Sequence, residues 1–357
     1  TSTTLENETE ESRELKISYR LCKGEKETAA WDEKVLLNSW GNVKIESETE
    51  LINPLLWDVE HPELYQMEVR LLTAEGEVID HQEMNIGFRT VSFDAERGFF
   101  LNHKPLKLFG MCNHQDFGGL GVAVPDAMYE YRIRRLKEMG CNAYRVAHGM
   151  AKHALIDACD RMGMLVMDEN RHFDTGEESL WQLRTMVLRD RNHPSVFLYS
   201  IFNEEPWQGT ENGMRIAKTM KEQIKKLQKN ALITGAMHGG IENKKSAAAV
   251  ADVCGINYQH TKYDEIHKLN PSMPIVATEV TSTFAVRGCY ESKEETHEIA
   301  CYDDYPSDWG ANVRDTWKAI MEREFVAGGF VWTGFDYMGE PTPYEWPSVS
   351  SFFGMMD

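Results

Sequence analysis

Two short apolar stretches of this chain each end in a glutamate. Val196–Ile201 is followed closely by Asn203-Glu204, and Pro274–Thr278 is followed directly by Glu279. An apolar run that stops at an acid is typical of a buried strand that delivers a carboxylate to a pocket. Two such carboxylates in one site are what the hydrolysis of a glycosidic bond requires, because one acts on the leaving oxygen and the other on the anomeric carbon.

The elements that must position these acids alternate along the chain from about residue 98. Apolar runs typical of strands are separated, in most cases, by amphipathic stretches typical of helices. The eight predicted strands are Leu106–Gly110, Ala143–Val146, Leu165–Met167, Val196–Ile201, Leu232–Thr234, Val253–Ile256, Ile275–Thr278 and Gly329–Trp332. This rhythm over about 250 residues predicts an α/β fold, a (β/α)8 TIM barrel. An open doubly wound sheet is the alternative, but no G-x-G-x-x-G turn follows the first strand.

Three segments are predicted in all. Residues 1–13 are rich in Ser, Thr and Glu, which indicates a disordered lead or linker. Residues 14–94 alternate apolar and polar residues without intervening helices, which predicts an antiparallel β-sandwich. Residues 95–357 are predicted to form the barrel, and since the chain stops soon after the eighth strand, the closing helix is expected to be short, missing or supplied elsewhere. Within the barrel, Asp126 is predicted as the N-cap of the first helix.

Composition narrows the classes of partner. The formal net charge of -19 repels phosphate backbones and argues against nucleic acid. No apolar stretch approaches the roughly 20 residues of a membrane span. Seven cysteines without a C-x-x-C pair indicate reduced core thiols rather than a disulfide framework. The chain begins at Thr1 without a signal-peptide pattern, which leaves its compartment open.

In a barrel of this kind the chemistry lies at the C-terminal ends of the strands. Polar residues occupy most of those positions here, including His114, Asp116, Arg145, His148, Asp168, Glu169, Asn203, Glu204, Glu205, Tyr258, Glu279 and Trp332. Singly, each has an ordinary structural explanation, and for His114, Asp116 and Asp168 that explanation is preferred. Together they predict one polar pocket.

Glu205 and Glu169 are the other candidates for the acid/base role. Glu205 is instead predicted to be structural, and Glu169 to be a hydrogen-bonding partner near the barrel rim. Trp207, Trp309 and Trp346 fit sugar stacking or the core equally well.

The motifs around these positions resemble glycoside hydrolase family 2. They are Arg189–Val196 followed by Asn203-Glu204, Asp160–Glu169, and Gly328–Tyr337 followed by Gly339–Tyr344, the last of which is most similar to the β-galactosidase branch. Trp57-Asp58, Pro62–Tyr65 and Gly87–Arg89 resemble the end of the immunoglobulin-like domain that precedes the barrel in this family. The resemblance implies an immunoglobulin-like sandwich over 14–94 and a catalytic barrel over 95–357.

The resemblance also implies roles. Glu204 corresponds to the acid/base and Glu279 to the nucleophile of a retaining exo-β-glycosidase, with the two carboxyls about 5–5.5 Å apart. Asn203 corresponds to the residue that binds the sugar 2-hydroxyl, and Tyr258 to the tyrosine that hydrogen-bonds the nucleophile. His114, Arg145, His148 and Trp332 match positions that line the pocket. Arg145 and Tyr258 are expected to stabilise the charged form of Glu279.

The implied substrate is a terminal β-galactoside. The alternatives are a β-glucuronidase or β-mannosidase of the same family, or a truncated carbohydrate-binding barrel with weak or no activity. No cofactor is required, and a divalent cation is possible without a clear motif for it after Asp168-Glu169. The expected partner is a β-linked sugar, with a second copy of the chain as a further option, and neither nucleic acid nor a membrane is expected.

Overall fold

The structure is a computed structural model that describes residues 1–356, and the chain divides into two compact units. One unit contains Thr1–Trp57 and His61–Phe88. The other contains Asp58–Glu60 and the chain from Arg89 onward. The change of unit at residues 88 and 89 lies a few residues before the predicted boundary at 94 and 95.

The first unit is all-β and consists of two sheets. Its strands are β1 (Ser2–Glu6), β2 (Arg13–Lys23), β3 (Lys26–Leu37), β4 (Asn42–Glu46), β5 (Tyr65–Thr73) and β6 (Val78–Ile86). β3, β2, β5 and β6 form one antiparallel sheet in that order, and β1 pairs with β4 in the other. Every second residue of β2 from Leu15 to Leu21 is buried in the core of this unit. The apolar–polar alternation of the sequence therefore marks which strand face is buried.

The disordered lead predicted for residues 1–13 is wrong for Ser2–Glu6. These residues pair in register with β4, from Ser2 opposite Glu46 to Glu6 opposite Asn42. The Thr3 hydroxyl also lies 2.8 Å from the hydroxyl of Tyr19. Backbone hydrogen bonds hold this strand, so a composition poor in apolar residues does not reveal it.

The second unit is a closed barrel of eight parallel strands, which confirms the predicted fold class. The strands are β10 (Leu108–Asn113), β11 (Ala143–Val146), β12 (Leu165–Glu169), β13 (Val196–Asn203), β14 (Ile233–Met237), β15 (Cys254–Asn257), β16 (Ile275–Thr281) and β17 (Val326–Trp332). They pair in sequence order, and β17 closes on β10. A small sheet of β7 (Val91–Asp94), β8 (Gly98–Leu101) and β9 (Lys104–Pro105) precedes them.

Helices separate most of the barrel strands. They are α1 (Asp126–Glu138), α2 (His153–Met162), α3 (Glu177–Asp190), α4 (Glu211–Leu227), α5 (Tyr263–Leu269) and α6 (Val313–Met321). Asp126 is the first residue of α1 rather than its predicted N-cap, because Pro125 before it has the extended backbone of the capping position; the Asp126 carboxylate binds Lys152 at 2.7 Å. Between β17 and Met356 the chain forms no helix. No helix among the described residues has the length and apolar character needed to cross a membrane.

Large aromatic side chains of the barrel strands pack closely against glycines of neighbouring strands. A Cβ atom on Gly110 would lie 2.3 Å from the Phe330 ring, and one on Gly235 would lie 2.3 Å from the Phe202 ring. Either substitution would clash with an aromatic ring held in the core. This close packing supports the polar layer above it, at the strand ends.

Candidate active site

A buried arginine joins four strand ends at the centre of the barrel. Arg145, at the end of β11, is fully buried. Its Nη1 donates to Glu279 Oε2 at 2.6 Å, its Nη2 donates to Asn203 Oδ1 at 2.7 Å, and its Nε and Nη2 donate to Glu169 Oε2 at 2.9 and 2.6 Å. Charge-assisted bonds of this length in a dry site are strong and fix their partners. Arg145 therefore holds three of the predicted polar side chains in one place.

Glu169 belongs to this cluster and does not lie near the rim, where it was predicted. Its side chain is fully buried, and its other oxygen, Oε1, lies 2.6 Å from Nδ1 of His148. Burial raises the pKa of Glu169, but Arg145 and His148 more than offset that effect and bring the pKa down to about 2. Glu169 is thus an ionised anchor for two basic side chains, which argues against a role in proton transfer.

Glu279 lies within β16 and accepts hydrogen bonds from Arg145 and Tyr258. Besides Arg145, the Tyr258 hydroxyl donates to its Oε1 at 2.5 Å, and Nε2 of His148 lies 3.9 Å from its Oε2. Burial raises the pKa of Glu279 above the ordinary value, and the charge of Glu204 adds to this, whereas Arg145, His148 and Tyr258 act in the opposite direction. The donors are present as expected, but burial outweighs them and the pKa is not lowered.

Glu204 follows β13 and faces a more open part of the site. Its side chain is 32% exposed, and its Oε1 accepts a hydrogen bond from Asn257 Nδ2 at 2.8 Å. The same Nδ2 lies 3.1 Å from Asn203 Oδ1, while Asn257 Oδ1 accepts from Thr278. Asn257 therefore links Glu204 and Asn203 to the strand that carries Glu279.

The backbone at two of these positions is unusual for residues with side chains. Glu204 has a φ of 51° and Tyr258 a φ of 56°, both in the left-handed region. Each comes directly after a strand end, and the strand pairing shifts register beside both. Left-handed non-glycine residues are sparse and concentrate at functional sites. Here they turn the side chains of both residues to hydrogen bonds with neighbouring strand ends.

Aromatic rings form one wall of the site. The His148 and Trp332 rings stack at 5.3 Å with an interplanar angle of 7°, and His114 lies against both. Tyr337 completes the group: its ring lies 4.2 Å from that of His114, and its hydroxyl accepts from Trp332 Nε1 at 3.1 Å. Burial lowers the pKa of His114 to about 4, so this ring is neutral near pH 7. A wall of aromatic rings suits the apolar face of a sugar.

The structure brings together all the predicted site residues, namely Glu204, Glu279, His114, Arg145, His148, Asn203, Tyr258 and Trp332. Glu205 points elsewhere, with its nearest cation, Arg171, at 3.9 Å. Trp207, Trp309 and Trp346 are 55%, 44% and 83% exposed, which excludes the core position for them.

Three contributors were assigned no role from the sequence. Asn257 follows the sixth predicted strand and belongs to the strand-tip residues, but only its neighbour Tyr258 was given a role. Ser282, whose hydroxyl lies 3.0 Å from that of Tyr258, and Tyr337 lie in loops, where strand periodicity carries no information.

Comparison with known proteins agrees with this geometry. The sequence profile of Glycosyl hydrolases family 2 matches residues 1–89, and that of the family's TIM barrel domain matches residues 94–182 and 175–349. The chain is 31% identical to β-galactosidase BoGH2A of Bacteroides ovatus, over 100% of this chain and 49% of that protein. It is 27% identical to a β-glucuronidase of Bacteroides fragilis, over 80% of this chain and 44% of that protein. The chain thus spans about half the length of these relatives, or less.

Solved structures show the same architecture. A family 2 glycosyl hydrolase from Bacteroides cellulosilyticus superposes with a TM-score of 0.84 at 31% identity, over 99% of this chain and 45% of that one. A β-glucuronidase from Bacteroides uniformis has the same fold, with a TM-score of 0.84 at 22% identity, over 99% of this chain and 46% of that one. Because the two profiles together cover nearly the whole chain, it belongs to glycosyl hydrolase family 2.

Proposed function

We propose that this chain carries the active site of a retaining exo-β-glycosidase that hydrolyses terminal β-galactosides. The observation that carries the proposal is the single hydrogen-bonded network that joins Glu279, Arg145, Asn203, Asn257 and Glu204. One carboxylate of this network is buried among donors, and the other is partly open to the barrel mouth. That asymmetry matches the two roles of a double displacement.

Glu279 is the nucleophile in this mechanism. Its Oε2 and Oε1 are held by Arg145 and Tyr258, which fixes the carboxylate for attack on the anomeric carbon. The bond from Glu279 to the sugar forms as the bond to the leaving oxygen breaks. Glu204 gives its proton to that oxygen, and its partial exposure leaves a path for the aglycone and later for water.

The second step reverses the roles. Once Glu279 is esterified it carries no charge, so the ionised form of Glu204 is less disfavoured by its neighbour. Glu204 then takes a proton from water, which attacks the anomeric carbon and releases Glu279. Asn203 holds the sugar: both Arg145 and Asn257 donate to its amide oxygen, so its NH₂ group is the part turned to donate to a sugar hydroxyl.

The first experiment traps the nucleophile. The full chain is incubated with a 2-fluoro-β-galactoside that bears a good leaving group, and the labelled peptide is identified by mass spectrometry. We expect one label, on Glu279, and no label in Glu279→Gln. A stable label on another residue would overturn the assignment of the nucleophile.

The second experiment separates the two glutamates. Glu204→Ala should lower kcat/KM on substrates with poor leaving groups by about 10²–10⁴-fold. It should keep more activity on dinitrophenyl glycosides, which need no protonation, and azide should rescue turnover and give the β-glycosyl azide. Glu205→Gln is the matched control and should behave like the unaltered chain, because Glu205 lies outside the network.

The sugar itself is tested with a panel of aryl β-galactoside, β-glucuronide, β-mannoside and β-glucoside. The residues from Gly328 to Tyr344 and the similarity to a β-galactosidase favour the first. The similarity to β-glucuronidases makes the glucuronide the second candidate. A higher kcat/KM on the glucuronide would replace the proposed substrate. Sugar binding without turnover of any substrate would favour a binding barrel.

A further inference from the structure

A group of metal-binding side chains lies away from the strand ends that form the active site. His153 and Asp157, at the start and middle of α2, face His193, in the turn between α3 and β13. One nitrogen or oxygen from each of the three lies within 4.8 Å of the others. From these positions we propose that His153, Asp157 and His193 form a site for a divalent transition-metal ion, of which Zn²⁺ fits best.

The interatomic distances show how closely the three side chains approach one another. Nδ1 of His153 lies 2.9 Å from Asp157 Oδ2, and Nδ1 of His193 lies 3.9 Å from Asp157 Oδ1. The two imidazole rings are 5.0 Å apart, edge to face. Ligands around tetrahedral Zn²⁺ lie roughly 3.4 Å from one another, given metal–ligand bonds of about 2.0–2.2 Å. A shift of about 1 Å in exposed side chains therefore closes the site.

Two of the three ligands are exposed and free to move, whereas the third is buried and held in place. His153 and Asp157 have side chains 55% and 37% exposed, so they can move toward an ion that arrives from solvent. His193 is 9% exposed and is held by Asp160, whose Oδ2 lies 2.6 Å from its Nδ1. Nδ1 is also the His193 nitrogen that lies 3.9 Å from Asp157, so an ion bound there takes the place of the proton shared with Asp160, and Asp160 then serves as a fourth ligand.

The donor set selects the metal. Two imidazoles and a carboxylate suit Zn²⁺ and its neighbours, whereas Mg²⁺ and Ca²⁺ prefer sites made of oxygen alone. The i, i+4 spacing of His153 and Asp157 places both on one face of α2. His193 comes from a different element, so a bound ion cross-links α2 to the turn that leads into β13.

That turn is already tied to α2 through Asp160. Its Oδ1 accepts the backbone N–H of Ser195 at 3.0 Å, directly before β13 begins. An ion at His193 adds a second tie at the same place. We therefore expect metal binding to raise the thermal stability of the barrel. The inference is independent of the proposed glycosidase activity, since none of these residues touches Arg145, Glu204 or Glu279.

The test uses the full chain without a histidine tag, stripped with EDTA. Zn²⁺ is titrated by calorimetry, Co²⁺ is titrated by its visible absorption, and Tm is measured with and without metal. We expect one equivalent of Zn²⁺, the intense bands of four-coordinate Co²⁺, and a higher Tm with metal. His153→Ala and Asp157→Asn should each weaken Zn²⁺ binding by about 10-fold or more.

Matched variants locate the ion. His81→Ala removes an exposed histidine of the other unit, and Glu279→Gln alters the active site. Both should bind Zn²⁺ like the unaltered chain. The Tm of metal-free His153→Ala should equal that of the metal-free parent, which shows that the variant is folded. The inference is overturned if the unaltered chain binds no Zn²⁺, if His153→Ala and Asp157→Asn bind it equally well, or if Glu279→Gln abolishes binding.

Discussion

Two regions of buried charge in the barrel are joined by two consecutive residues of β12. Glu169 faces the barrel interior, where Arg145 and His148 hold it. Asp168 faces the layer between the sheet and the helices, where its neighbour is Asp190, at the end of α3. Both side chains are fully buried, and adjacent strand residues point to opposite faces. One strand therefore supplies a carboxylate to each region. We call the region around Glu169 and Arg145 the inner region, and the region around Asp168 and Asp190 the outer region.

The pKa values of Glu169 and Asp168 shift in opposite directions. Arg145 and His148 hold the pKa of Glu169 down to about 2. Burial, together with the charge of Asp190, raises the pKa of Asp168 well above its ordinary value. Arg189, which acts to lower the pKa of Asp168, is bound at 2.6 Å to both oxygens of Asp190. Burial alone therefore does not determine the state of an acid; the cation that reaches it does.

The largest expected effect comes from removing the cation of the inner region. Arg145→Met leaves Glu169 and Glu279 buried without their guanidinium, which typically costs about 3–5 kcal/mol of unfolding free energy. It should also abolish glycosidase activity, because Glu279 and Asn203 lose their shared donor. Urea denaturation followed by tryptophan fluorescence measures the first effect.

Arg189→Met provides the comparison in the outer region. The Arg189 side chain is 25% exposed, so water can reach part of the space that it leaves. Arg189→Met should therefore lower the free energy of unfolding by less than Arg145→Met does. Equal losses in the two variants would contradict the idea that the inner region depends more strongly on its cation.

The sequence predicts the inner region better than the outer one. Runs such as Val196–Ile201 and Ile275–Thr278 are apolar because both faces of a barrel strand are buried, so the polar residues that follow them stand out. That contrast locates Glu204 and Glu279 and, through barrel geometry, brings them together.

Contacts between neighbouring strand ends are harder to foresee. Asn257 bridges β15 to Glu204 and Thr278 because the register of β15 and β16 shifts beside it, and such a shift leaves no periodic trace. Asp168 and Glu169 are adjacent and chemically alike, so the difference between them comes from partners remote in sequence. The strand Ser2–Glu6 was missed for a related reason, since its pairing partner is β4.

A smaller effect is expected for Glu169→Gln, and it should depend on pH. Since the folded pKa of about 2 lies below the ordinary value of 4.5, Glu169 stabilises the fold above about pH 4.5, and this contribution is lost as the pH falls toward 2. A shift of this size corresponds to about 3 kcal/mol. Glu169→Gln should therefore be clearly less stable than the parent at pH 7, with the difference shrinking in acid. A difference that did not change with pH would show that lost packing, rather than charge, sets the cost.

The smallest effect, and one of opposite sign, is expected for Asp168→Asn. Because its folded pKa is raised, Asp168 keeps a proton in the folded chain at pH values where the unfolded chain has released it. The parent therefore loses unfolding free energy as the pH rises from about 3.8 toward the raised pKa, and asparagine removes that loss. The amide has the shape of the protonated acid and can donate to Asp190, so the variant should match the parent near pH 3.5 and become more stable by about 1 kcal/mol or more toward pH 7. Urea titrations at several pH values test this. If Asp168→Asn were instead less stable than the parent at pH 7, Asp168 would be an ionised anchor like Glu169, and the contrast between the two regions would be lost.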